Sequence, residues 1–176
     1  MVDVDFEISK GLNLFRQKKY SEAAQLFENI SNILKENDSI LKSAEISNNA
    51  SVAYLLNGNA QKAFEMAKDT HFIFENENDW KNSGLALGNQ AAALEELGDK
   101  KKAFDLYQLA AENLKKAGEM ESRAYILKRI SSLQMQKGEQ FEALGSMSAA
   151  LQQLPKLSRK EKFIKKLTEI IFKIGN

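Results

Sequence analysis

Apolar residues recur every three to four positions along most of the chain, in stretches separated by short polar breaks. That spacing marks one face of an α-helix. Residues 4–17 place Val4, Ile8, Leu12 and Phe15 on one side, and residues 20–35 place Ala23, Phe27, Ile30 and Leu34 likewise. A second pair of segments runs from about 40 to 75 and breaks at Gly58. A third opens at Asp79-Trp80, breaks at Gly98 and closes at Gly118; a fourth runs from about 120 to 154 and breaks at Gly138. Residues 158–174 form a last segment, with Phe163, Ile164, Leu167, Ile170, Ile171 and Ile174 at helical spacing. The pattern predicts an all-α chain: eight helices in four hairpins, then a ninth helix.

The breaks are copies of one stretch. Leu97-Gly98-Asp99-Lys100-Lys101-Lys102-Ala103-Phe104 has counterparts forty residues away on either side, at Asn57–Phe64 and Lys137–Leu144, and a first copy at Gln17–Ala24. A fixed period of this length is the mark of a stacked repeat protein. Glycine can take the left-handed conformation that ends a helix. Asn57-Gly58 alone would read as a hairpin turn, but its flanks repeat at three to four positions rather than two. Five residues after each Gly (or Lys18) stands an alanine: Ala23, Ala63, Ala103 and Ala143. Seven before it stands a small column of Gly11, Ser51, Ala91 and Ser131. Small residues on both members let two helices cross closely. One domain, 1–176, follows, with repeats at about 4–37, 38–77, 78–117 and 118–157. Asp38 and Ser39 are candidate caps for the helix after them.

These columns, with Leu14/Tyr54/Leu94, Phe27/Ala67/Tyr107/Met147, Ile30/Thr70/Ala110/Ala150 and Pro155, resemble the tetratricopeptide repeat family over about residues 4–155. The forty-residue period is like the family's longer-helix variants; the early Trp is absent, and Gln134 breaks the Leu14/Tyr54/Leu94 column. The resemblance implies a right-handed α-solenoid whose first helices line a concave groove. Carried onto this chain, the groove holds Ile8, Leu12, Phe15, Val52 and Leu55 toward the N-terminal end. Asn48, Asn49 and Asn89 lie in the middle, and Tyr125, Lys128 and Arg129 toward the fourth unit, with Phe172 on the terminal helix. Asn49 and Asn89 suit hydrogen bonds to a ligand's backbone, and Arg129 suits a carboxylate. A carboxylate clamp of the family's kind would match at Asn89 and Arg129, while Asn48, Val52 and Tyr125 depart from it. The plainer reading is that Leu12, Val52 and Leu55 only pack adjacent helices, and that Asn49 and Asn89 only bridge repeats.

Charge adds a polarity. Residues 1–80 carry eight Lys/Arg against thirteen Asp/Glu, net −5; residues 81–155 carry ten against nine, net +1; residues 156–176 carry seven against two, net +5. No basic face for nucleic acid results. Opposite ends favour head-to-tail contact or an oriented ligand, so a monomer or a weak homo-oligomer is expected. The terminal helix reads as a solenoid cap covering the last apolar face. Its alternative is a basic amphipathic helix on a membrane surface, given Arg159, Lys160, Lys162, Lys165, Lys166 and Lys173. No apolar run approaches a membrane span. An acidic start and the absence of cysteine suit a cytoplasmic protein.

Chemistry is sparse. His71 is the only histidine and there is no cysteine, so neither a His/Cys metal set nor a catalytic dyad can be assembled. Glu75–Asp79 lacks the mid-loop Gly and the terminal Glu of a calcium loop, and reads as a helix-joining turn capped by Asp79. Gly84 and Gly88 read as a close helix contact, Trp80 as an inter-repeat staple, and Glu95-Glu96 as an exposed pair. The expectation is a non-enzyme with no cofactor and no metal, a scaffold holding a protein or peptide segment, one with an acidic group if Arg129 meets it. The alternative is a self-assembling structural or regulatory subunit acting through its terminal helix or its oppositely charged ends.

Overall fold

The computed structural model describes residues 3–174, without the side chains of Phe172 and Ile174. The described residues form ten helical segments and no strand: α1 Val4–Arg16, α2 Tyr20–Glu36, α3 Ile40–Leu56, α4 Ala60–Ala67, α5 Thr70–Asn76, α6 Trp80–Glu96, α7 Lys100–Lys116, α8 Met120–Lys137, α9 Gln140–Gln153 and α10 Arg159–Ile174. Each packs mainly on its sequence neighbours, so the chain is an α-solenoid. From Tyr20 to Gln140 a helix, or the α4–α5 pair, begins every twenty residues. The forty-residue repeat is thus a doubled twenty-residue rhythm.

One turn recurs throughout that rhythm. Residues 18, 38, 58, 78, 98, 118 and 138 all have positive φ, between 54° and 87°. At each, the next residue's N–H bonds the carbonyl five residues back, as Asp99 does to Leu94 at 2.9 Å and Ser39 to Leu34 at 2.9 Å. The left-handed residue itself bonds three back, as Gly98 does to Glu95 at 3.0 Å. These are Schellman motifs. Asp38 therefore serves as a left-handed helix end rather than a cap, and Ser39 makes no capping hydrogen bond. Asp79, by contrast, caps α6 by accepting from the Asn82 N–H at 3.0 Å.

Helix crossings follow the small columns. Ala23, Ala63, Ala103 and Ala143 are buried. The Ser51 and Ser131 hydroxyls donate across their hairpins to the carbonyls of Ala63 and Ala143 at 2.7 and 2.6 Å, and Ser43 does the same to Ser31 between units at 2.8 Å. A Cβ at Gly11 would stand 2.5 Å from the Phe27 ring, and one at Gly84 2.7 Å from Leu114 Cγ. Both positions must stay bare for the neighbouring helix to seat. Gln134 sits buried in its apolar column with its amide oxygen accepting from Ser146 at 2.7 Å, which removes the desolvation cost.

Two places depart from the hairpin pattern. The helix expected across 60–76 is broken, with Lys68 extended and Asp69 left-handed at φ 62°. The buried Thr70 hydroxyl donates to the Ala67 carbonyl at 2.8 Å, an alternative to helix continuation that Ser, Thr, Asp and Asn side chains offer. The second departure is α10. Its start is a capping box in which Ser158 and Glu161 bond each other's backbone N–H at 2.8 and 3.3 Å. Toward the body it turns the buried Thr168 and the half-buried Ile164 and Ile171, against α9. Phe163, Leu167 and Ile170 face outward, so α10 covers α9 with only part of its apolar arc.

Candidate binding groove

The helices α3, α6 and α8 run side by side, and the face they share holds two adjoining clefts. The first, about 350 Å³, is lined by Val52, Leu55 and Leu56 of α3, by Leu85, Asn89 and Ala92 of α6, and by Tyr125 and Ile126 of α8. Gly88 lies at its edge, where a Cβ would stand 3.0 Å from Ile126 Cδ1. The second, about 390 Å³, is the more polar of the two, with Glu45, Asn48, Asn49, Asn82 and Asn89 around it beside Val52, Phe74 and Leu85. Val52, Leu85 and Asn89 belong to both, so the two form one trough, apolar at one end and amide-rich at the other. Leu56, Leu85 and Tyr125 present large apolar surface to solvent there, Tyr125 being 59% exposed.

Four of the residues expected in a groove from sequence, Val52, Leu55, Asn89 and Tyr125, meet in the apolar cleft, and Asn48 and Asn49 join Val52 and Asn89 in the polar one. Others have different work. Ile8 and Phe15 pack on the N-terminal core, Phe15 edge-on to Tyr20 at 5.3 Å, and Leu12 is surface-exposed on α1, lining neither cleft. Asn48 donates to the Ala44 carbonyl at 2.9 Å and to Thr70 at 3.1 Å, and accepts from Asn89 at 3.3 Å, so it ties the groove face to the break between α4 and α5. The side chain of Phe172 lies outside the described residues. Leu56 and Leu85 were missed; a forty-residue column Glu45/Leu85/Tyr125, on the helix face where Asn48 and Asn89 stand, carries Leu85 in the sequence.

At the basic end of the expected groove, both cations already meet acids of the chain itself. Arg129 Nη2 stands 2.6 Å from Glu95 Oε2, and the Tyr107 hydroxyl donates to the same oxygen at 3.1 Å. Glu95 is therefore no exposed acid: its side chain is 10% exposed. Burial first, then the Glu95 charge, push the Tyr107 hydroxyl above its ordinary pKa. An acidic ligand at Arg129 would have to displace Glu95. Lys128 is engaged too, by Glu161 of α10 at 2.6 Å.

Elsewhere, the candidate chemistry resolves into structure. The Glu75 carboxylate accepts from Ser83 at 3.1 Å and Asn113 at 3.0 Å. Lys116 lies over the Trp80 ring at 4.3 Å, joining α7 to α6. His71 is half-buried, and burial lowers its pKa. Among the described residues no three His, Cys, Asp or Glu side chains gather as metal ligands, and no helix is long and apolar enough to cross a membrane.

A solenoid of helices, each packed mainly on its sequence neighbours, defines a class, the helical-repeat proteins. Within that class the family model of the soluble NSF attachment protein, SNAP, matches residues 8–170, and the chain belongs to that family. The likeness to tetratricopeptide repeats is one of architecture, and no individual curated protein is matched.

Proposed function

We propose that this chain is a non-catalytic adaptor that holds a segment of a partner protein in the trough across α3, α6 and α8. The observation that carries the reading is the cluster of Leu56, Leu85 and Tyr125, three large apolar side chains left in solvent around one cleft. Contiguous exposed apolar surface of this kind marks interaction sites. The family description, an attachment protein, supports a binding role, and NSF or a protein of its kind is the first partner to try. The segment bound would place apolar side chains between Leu56, Leu85 and Tyr125. Its backbone would run past Asn49, Asn82 and Asn89, whose amides can donate and accept whatever the segment's sequence.

The test is site-specific photo-crosslinking in lysate of the source cells. A photo-reactive residue at Tyr125 should yield an adduct with a protein partner, and one at the exposed Gln108 of α7 should not. Purified partner should then bind Tyr125→Ala on the order of tenfold more weakly, the cost of removing a buried aromatic anchor, with unchanged melting. Equal adducts at the two positions, or wild-type affinity for Tyr125→Ala, would sink the trough as the binding site.

A further inference from the structure

The terminal helix α10 carries a second exposed apolar surface, distinct from the trough. Phe163, Leu167 and Ile170 are 68, 43 and 44% exposed. At spacings of four and three residues they share one narrow arc of the helix. Along one edge of that arc stand Arg159, Lys162, Lys166 and Lys173, all exposed, and none makes an ion pair among the described residues. The opposite side of the helix is held to the body by buried Thr168 and by Glu161, which meets Lys128 at 2.6 Å. The fold thus uses one side of α10 and leaves the other as an apolar strip with a cationic border.

We propose that the outer face of α10 is a docking surface for an anionic lipid bilayer, with Phe163, Leu167 and Ile170 entering the headgroup–acyl boundary and the four cations meeting lipid phosphates and carboxylates. An exposed apolar strip flanked by Lys and Arg is the design of an interfacial helix, and the half-buried Ile164 and Ile171 that widen the apolar arc of α10 are turned toward the body. The charge is of the right sign: juxtamembrane cations are attracted by anionic lipids at about 1 kcal/mol each. A second copy of the chain offers a poorer complement. The N-terminal unit, residues 4–37, carries as many Lys and Arg as Asp and Glu, and of its acids Asp5 is taken by Lys42, Glu7 by Lys10 and Glu28 by Lys62.

Sedimentation of the full chain with vesicles tests the proposal. Vesicles of phosphatidylcholine alone should leave the protein in solution, and vesicles containing phosphatidylserine should carry it down, less so as salt rises. The double variant Lys162→Gln/Lys166→Gln should bind the anionic vesicles on the order of thirtyfold more weakly, two such charges by the figure above. Phe163→Ser/Leu167→Ser should also release it, at an unchanged helical spectrum. Absence of binding to anionic vesicles, equal binding to both vesicle types, or wild-type binding by both variants overturns the proposal. Self-association of the wild type that Phe163→Ser/Leu167→Ser abolishes, without vesicle binding, would overturn it in favour of a second copy.

Discussion

Removal of the Arg129 guanidinium would leave the Glu95 carboxylate with the Tyr107 hydroxyl as its remaining side-chain partner. A buried charge stripped of its counter-ion is among the costlier single defects. Arg129 is itself 35% exposed, so solvent screens the pair and the loss is smaller than for a fully buried one. Arg129→Ala should lower unfolding free energy by about 1–3 kcal/mol, read by urea denaturation. Arg129→Ala/Glu95→Gln should recover part of that loss, because the orphaned charge is gone. A ligand-only role for Arg129 would leave the melting curve untouched. The same arrangement recurs in the first two units, where Glu28 accepts from the Tyr54 hydroxyl and from Lys62 at 2.7 Å. The Lys62 bond first, then the Tyr54 hydroxyl, hold the Glu28 carboxyl below its usual range, while burial and Glu28 push Tyr54 up to about 12.

At the scale of elements, the seven left-handed turns set where every helix from α1 to α8 ends, α4 alone excepted. Four of the seven are glycine, for which that backbone carries no Cβ penalty. Asp38 and Asn78 are the residue types that tolerate it next best. Lys18, at φ 61°, is the one with neither advantage. Lys18→Gly should raise stability by on the order of 1 kcal/mol, the steric cost removed. In a chain of this size that is a rise of about 2–4 °C in thermal midpoint. An unchanged or lowered midpoint would show that the gain is consumed by the greater freedom of glycine in the unfolded chain.

Across the whole molecule, the docking of α10 should depend on pH. Lys128, donating to Glu161, and Ser158, donating through backbone and side chain, lower the Glu161 carboxyl from 4.5 to about 2. A depressed carboxyl stabilises the fold above its unfolded pKa, and the contribution fades as pH falls through the folded value. The attachment of α10 should therefore be intact from neutral pH to about 4.5 and weaken between there and about 2. Hydrogen exchange near pH 3 should show α10 amides losing protection relative to those of α6. Glu161→Gln should show that loss already at neutral pH. Equal protection in wild type and variant at both pH values would place the anchor in Thr168 and the isoleucines instead.

Local signals determined most of the architecture. Apolar spacing, four copies of one turn and the alanine column were enough for helices, hairpins and repeat order, because each rests on residues close in sequence. The Glu45/Leu85/Tyr125 column and the pairs Asp38-Ser39 and Asn78-Asp79 also stood in the sequence, but Gly58, Gly98 and Gly138 made the doubled period the louder one. What only the tertiary structure decided was how side chains about twenty to forty positions apart spend their hydrogen bonds. Arg129 reaches Glu95, Lys128 reaches Glu161, and Asn48 meets both Asn89 and the Thr70 turn. A cation on a groove-facing helix looks the same in sequence whether it awaits a ligand or a neighbouring repeat. Packing supplied the partner, because adjacent first helices of a solenoid lie within one side-chain length of each other.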